Sequence, residues 1–194
     1  MPANIPVQRL SANAKDAYHA HLLALPPDDV RLRFGAPMAA EGIAAYVARI
    51  DFDADEIFGV FADAMQLEGA AHLAFGDEFA ELGVSVLPSA RGRGIGHALV
   101  ARATEHARNR SVRRLFMHCL AENAAMIRIA RGAGMAVIVD SGEADAHVAL
   151  PPLTPASLAS EALADRVALY DFALKSNVEA WRRIGVALVG GKDA

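Results

Sequence analysis

Cysteine is almost missing from this 194-residue chain: Cys119 stands alone. A single thiol excludes an internal disulfide framework and fits a reducing compartment, so a cytoplasmic location is expected. Long apolar runs are missing too, and no stretch approaches the roughly 18 consecutive apolar residues that a spanning helix needs. The opening Met1-Pro2-Ala3-Asn4 has neither the basic nor the apolar segment of a secretory signal. Nor is there an excess of positive charge. The formal net charge is −4, which argues against nucleic acid as a partner, because phosphate neutralisation needs a basic face. The 7 histidines are scattered. His19 and His21 fall on opposite sides of a helix, so no metal site is expected.

What remains is an ordinary globular composition, with 54% apolar and 22% charged residues and length for one well-buried core. A first strand is expected at Ile5–Leu10, followed by a helix capped by Ser11 or Asn13. Pro26-Pro27 breaks that helix. A helical turn at Asp28–Phe34 and a helix from Ala39 to Ile50 come next, then an acidic connector, Asp51–Glu56. The period then becomes strand-like. Ile57–Ala62, Leu67–Phe75 and Phe79–Leu87 read as three strands joined by short polar breaks, hence antiparallel hairpins. From Pro88 onward the pattern alternates: helix Gly94–Asn109, strand Arg114–Leu120, helix Asn123–Gly132, then strands Met135–Asp140 and Ala144–Leu150. The class is α/β, with neither the even alternation of a Rossmann fold nor that of a barrel. Residues 1–152 form the expected domain, and 153–194 a C-terminal helical extension.

The most informative segment runs from Glu81 to Gly96. A strand enters a turn bearing Gly92, Gly94 and Gly96 with Arg91 and Arg93, and the turn opens a helix. Unpaired N–H groups at a helix N-terminus attract an anion, glycines let backbone approach a phosphate, and the arginines add charge. The spacing fits neither a Walker A loop nor Gly-x-Gly-x-x-Gly. The ordinary reading is a flexible turn that merely starts a helix.

Arg91-Gly92-Arg93-Gly94-Ile95-Gly96, after Val86-Leu87-Pro88, resembles the GNAT acyltransferase signature [Gln/Arg]-x-x-Gly-x-[Gly/Ala] that follows a strand ending in Val-x-Pro. A second block, Asn123 to Met135, is similar to the superfamily's later motif, with Met135 in place of phenylalanine. The resemblance covers roughly Pro6 to Pro151. A finer likeness links Leu25 to Phe34 with the bacterial protein-lysine acetyltransferase branch, although that motif's two serines are absent.

This resemblance implies the GNAT fold: a mixed, mostly antiparallel sheet of 6 to 7 strands, splayed between the fourth and fifth and flanked by helices. It implies acetyl-CoA as acyl donor and a primary amine, small molecule or protein lysine, as acceptor. Val84 and Val86 would offer backbone groups to pantetheine. Arg91, Gly92, Arg93, Gly94, Ile95 and Gly96 would hold the pyrophosphate, and Asn123 would cap a helix and reach toward the cofactor. Glu81 is the candidate base, on one strand face with Gly83 and Ser85; its ordinary reading is a solvent-facing strand residue. His118 competes for that role, its ordinary reading being a satisfied core histidine. The sequence departs from the pattern at Ala130, where most of the superfamily carries a tyrosine proposed to protonate the leaving thiolate. A donor longer than acetyl, or an acyl-CoA sensor without turnover, stays open.

Thr154-Pro155 marks the start of a last helix. Leu163, Val167, Tyr170, Leu174, Val178 and Trp181 form one apolar stripe along it, expected to pack on the core, on a homodimer partner, or both.

Overall fold

The computed structural model describes residues 5–190. Seven strands form one sheet: β1 (Gln8–Leu10), β2 (Glu56–Phe61), β3 (Leu67–Phe75), β4 (Phe79–Val86), β5 (Arg114–Leu120), β6 (Ala136–Asp140) and β7 (Glu143–Ala149). Their order across the sheet is β1-β2-β3-β4-β5-β7-β6. Every neighbouring pair is antiparallel except β4 and β5. That exception follows from connectivity, since a full helix carries the chain between them and returns it in the same direction.

Helices cover both faces. On one side lie α1 (Lys15–Leu23), α2 (Pro27–Phe34) and α3 (Ala40–Ala48), with Tyr18, Leu22, Ile43 and Val47 buried against Ile57 and Phe61. On the other lie α4 (Ile95–Asn109) and α5 (Ala124–Gly132), whose Ile95, Leu99, Val100 and Ala130 share a core with Phe58, Leu73, Leu82, Val84 and Leu115. Strand alternation divides β4 between them: Leu82 and Val84 face α4, so Glu81, Gly83 and Ser85 face the α1–α3 side. Pro27 opens α2, and Gly35, at φ 76°, closes it in the left-handed conformation.

Three local expectations shift. The first strand shortens to Gln8–Leu10, and neither Ser11 nor Asn13 makes a side-chain cap, the turn there being closed by backbone hydrogen bonds. Glu56 belongs to β2 rather than to the acidic connector, because it is buried and ion-paired with Arg9. The last helix, α6 (Pro155–Gly190), begins as the sequence indicates. Thr154 Oγ1 accepts from Ser157 N–H at 3.1 Å while Ser157 Oγ accepts from Thr154 N–H at 3.0 Å, a reciprocal box.

The side of α6 that docks is not the apolar stripe. Ser157, Glu161, Asp165, Ala168, Phe172 and Lys175 face the core. Arg102 of α4, its side chain 5% exposed, bonds both Glu161 (2.9 Å) and Asp165 (2.5 Å). His106 bonds Glu161 as well, at 2.5 Å. Phe172 meets Phe61 edge-on at 5.1 Å, and Lys175 donates to the Phe61 carbonyl at 2.8 Å. The stripe lies about 140° round the helix and stays exposed, Tyr170 at 75% and Trp181 at 72%.

Candidate active site

The site begins as a fork in the sheet. β4 pairs with β3 throughout, from Phe75↔Ala80 to Gly69↔Val86. It pairs with β5 only from Phe79↔Arg114 to Glu81↔Phe116. Beyond Glu81 the two strands part. Leu87 N–H donates to Glu68 O on the β3 side, so by alternation the main-chain groups of Val86 and Val84 point into the fork. Val86 O there accepts from Arg91 Nε at 3.3 Å.

The turn after β4 delivers the chain to α4. Gly92 and Gly94 take φ 75° and 87°, a region L side chains rarely enter. Gly94 is the residue before the helix, and no side-chain oxygen caps the N–H groups that follow it. Such an end carries partial positive charge and open donors. Gly96 is different. It lies inside α4 with ordinary φ, and a Cβ there would come within 2.7 Å of Ile129 Cδ1, so the missing side chain leaves room for Ile129 of α5.

The fork, the turn and the N-termini of α4 and α5 enclose a cavity of about 600 Å3. It gathers Val84, Val86, Arg91, Gly92, Gly94, Ile95, Gly96 and Asn123, all singled out in the sequence. Asn123 Oδ1 caps α5 by accepting from Met126 N–H at 3.1 Å. Arg93 does not line the cavity; its Nη1 is held by both carboxylate oxygens of Glu68, at 2.9 and 3.0 Å. Arg91 lines it but is already ion-paired to Asp29 at 2.5 Å.

Glu81 and His118 come together at a neighbouring groove, beside Phe79, Phe116, Met117 and Asp145. Glu81 is exposed at the vertex of the fork. His118 bonds Asp145 at 2.8 Å, and this carboxylate, aided by Glu143, holds the imidazole above its ordinary pKa. Ala130 is buried in the core and brings no hydroxyl. Cys119 is buried beneath the sheet, and burial pushes its thiol up.

The sequence reading missed a polar seam on the α1–α3 side of β4. His21 Nδ1–H donates to Leu67 O and its Nε2 accepts from Ser85 Oγ, both at 2.8 Å. Burial, opposed by the Leu67 carbonyl and assisted by nearby Arg33, lowers the His21 pKa to about 4. Asp55, His72, Tyr46 and Arg33 form a chain: His72 bonds Asp55 at 3.0 Å, Tyr46 donates to His72 Nδ1 at 2.5 Å, and Arg33 donates to Tyr46 Oη at 3.2 Å. These residues come from three helices, a loop and two strands. No spacing in the sequence announces them.

The fork, the uncapped helix end and the cavity joining them are the anatomy that the two sequence motifs imply. Residues 26–135 match the Acetyltransferase (GNAT) family. The chain belongs to that family. It is therefore an enzyme of acyl transfer. Among solved structures, the GNAT domain of PAT from S. lividans superposes with a TM-score of 0.64 at 19% identity, covering 74% of this chain and 89% of that one. Spermidine N-acetyltransferase from Vibrio cholerae, in complex with CoA and spermine, gives 0.60 at 15% identity, covering 76% and 96%. A phosphinothricin acetyltransferase from Sinorhizobium meliloti, in complex with AcCoA, gives 0.58 at 14%, covering 78% and 95%. No curated protein sequence matches. At such identities the solved structures establish the fold of this acyltransferase and nothing finer.

Proposed function

We propose that this acyltransferase moves the acetyl group of acetyl-CoA to a primary amine by direct attack within a ternary complex. The observation that carries the reading is the fork opening onto an uncapped helix N-terminus, which offers one continuous track for an extended thioester. In this reading the N–H groups following Gly94 take the pyrophosphate, and Val84 and Val86 bond the pantetheine amides as a missing strand would. Asn123, its Oδ1 committed to the cap, keeps its Nδ2 donors for the ligand.

The chemistry needs a neutral amine, and a lysine-like amine has an ordinary pKa of about 10.4. Glu81 is the proposed acceptor of that proton, directly or through water. The amine nitrogen then bonds the thioester carbon, the carbonyl re-forms and the C–S bond breaks. The thiolate leaves without an enzymic acid at position 130, which a thiol of pKa about 8.5 permits. His118, whose ring is already bonded to Asp145 at 2.8 Å, suits the base role less well than Glu81.

Glu81→Gln should lower the transfer rate at neutral pH on the order of 10²–10⁴-fold with little change in acetyl-CoA affinity, and regain activity at high pH. A Glu81→Gln protein that works at the parental rate on a validated acceptor removes Glu81 as base. The spermidine and phosphinothricin acetyltransferases named above favour small amines as the first panel. Binding of acetyl-CoA with no transfer to any amine, peptide lysines included, would instead support the sensor reading that Ala130 raises. Tighter binding of longer acyl-CoAs would reassign the donor.

We also propose that a second copy of the chain covers the exposed stripe of α6. Leu163, Val167, Tyr170, Leu174, Val178 and Trp181 follow at spacings of three and four, the seam pattern one helix offers another.

A further inference from the structure

Among the described residues, Arg33 is a cation without an anion. Its guanidinium lies against β4 at Gly83, where a Cβ would collide with the guanidinium carbon and with both terminal nitrogens. Glycine inside a strand ordinarily weakens it; here the missing side chain is the space that Arg33 occupies. Phe34 and Tyr46 stack on it at 4.9 and 5.9 Å. Its electrostatic partners are two phenols, Tyr18 and Tyr46, and among the described residues it pairs with no carboxylate. Neither neighbour neutralises it: burial pushes the Tyr18 phenol up, away from ionisation, and Tyr46 spends its proton on His72. Asp55, the nearest acid in the chain of bonds, is separated from Arg33 by both His72 and Tyr46. Arginine cannot shed its charge, and its field adds to the larger effect of burial in lowering the pKa of both His21 and His72.

A fixed, desolvated cation is costly unless something complements it. The open side of Arg33 is the cavity itself, whose wall it forms with Leu25, Leu32 and Ser85. The acid that does line the cavity, Asp29, is held by Arg91. Gly83, on which Arg33 rests, lies one same-face step from Glu81 and one from Ser85, between the proposed base and the proposed pantetheine track.

Building on the proposed acyl transfer, we propose that Arg33 is a carboxylate-docking residue, and that one of the two substrates carries a carboxylate close to its reacting group. A planar guanidinium held by two tyrosines at the cavity wall matches a carboxylate's two oxygens. That carboxylate is either the far end of a dicarboxylic acyl group on CoA or the acid group of an amino-acid acceptor.

Matched pairs distinguish the two sources. The donor arm compares acetyl-CoA with succinyl-CoA by calorimetry on the full chain. The acceptor arm compares amino acids with their amides for transfer at fixed donor. In one arm the carboxylate partner should be favoured on the order of tenfold to a hundredfold, through affinity in the first and through KM in the second. Arg33→Met should erase that preference while free CoA still binds as before, and Arg33→Lys should keep part of it. Equal use of both members in both arms by the parental protein overturns the proposal without need of any variant. So does a preference that survives Arg33→Met. Loss of CoA binding altogether would implicate the acyl-transfer reading instead, which keeps the two failures separate.

Discussion

Three glycines spaced by two, Gly92, Gly94 and Gly96, look equivalent in the sequence and carry different constraints. Gly92 and Gly94 hold positive φ, whereas Gly96 makes room for Ile129. The two arginines between them also separate, Arg93 to Glu68 and Arg91 to Asp29. The turn's side-chain charge is thus largely cancelled before any ligand arrives, and the backbone donors of α4 carry the grip. Gly94→Val should therefore abolish acetyl-CoA binding in a protein shown to be folded, because a β-branched residue resists φ 87°. Arg91→Ala should weaken binding by less. Asp29→Asn, which frees Arg91, should strengthen it several-fold, by roughly the worth of one exposed ion pair. Calorimetric titration of the three variants checks the order, and an Asp29→Asn protein that binds more weakly would falsify it.

At the scale of elements, α6 is the unusual member because ions rather than apolar side chains fasten it. Burial would raise the pKa of Glu161, but the bonds from Asn109, His106 and Arg102 outweigh that and lower it to about 2. A depressed carboxylate contributes its full stability above its unfolded pKa, here 4.5, and loses it as pH falls through the folded value. The docking of α6 on α4 should accordingly loosen between pH 4.5 and about 2. Arg102→Met should reproduce the loosening at neutral pH, since removing one partner strands the other; the loss is about 3 kcal/mol. Limited proteolysis across residues 153–190 against pH reads both effects. The helix's start was legible in Thr154-Pro155. Its docking face was not, because hydrophobic periodicity finds an apolar stripe and cannot say whether that stripe meets this chain or another. The same limit hid the polar seam. His21, Arg33, Tyr46, Asp55 and His72 are unremarkable one at a time and meet only once the sheet assembles. The fork, by contrast, was readable through two motifs whose local backbone chemistry is self-contained.

For the whole molecule, the described residues already close their core on both sheet faces without the stripe of α6. Six large apolar side chains left in water are a liability for a lone protomer. A homodimer along α6 should appear in light scattering, and Leu174→Glu should shift it to the monomer with acetyl-CoA affinity intact. Monomeric parental protein at micromolar concentration would withdraw the dimer. Truncation after Pro152 should do more harm than Leu174→Glu, because it also strips the partners of Arg102 and His106.

The parting of β4 and β5 has a kinetic consequence. A strand margin in the middle of a sheet leaves the amides of Val84 and Val86 outside the ladder, although the carbon skeleton around them is packed. Such amides trade their protons with solvent at rates set by local opening rather than by global unfolding. In the free protein they should label with deuterium well before their ladder-paired neighbours Gly83 and Ser85. Saturating acetyl-CoA should slow them selectively, recording in the exchange rates of two valines whether the ligand completes the sheet.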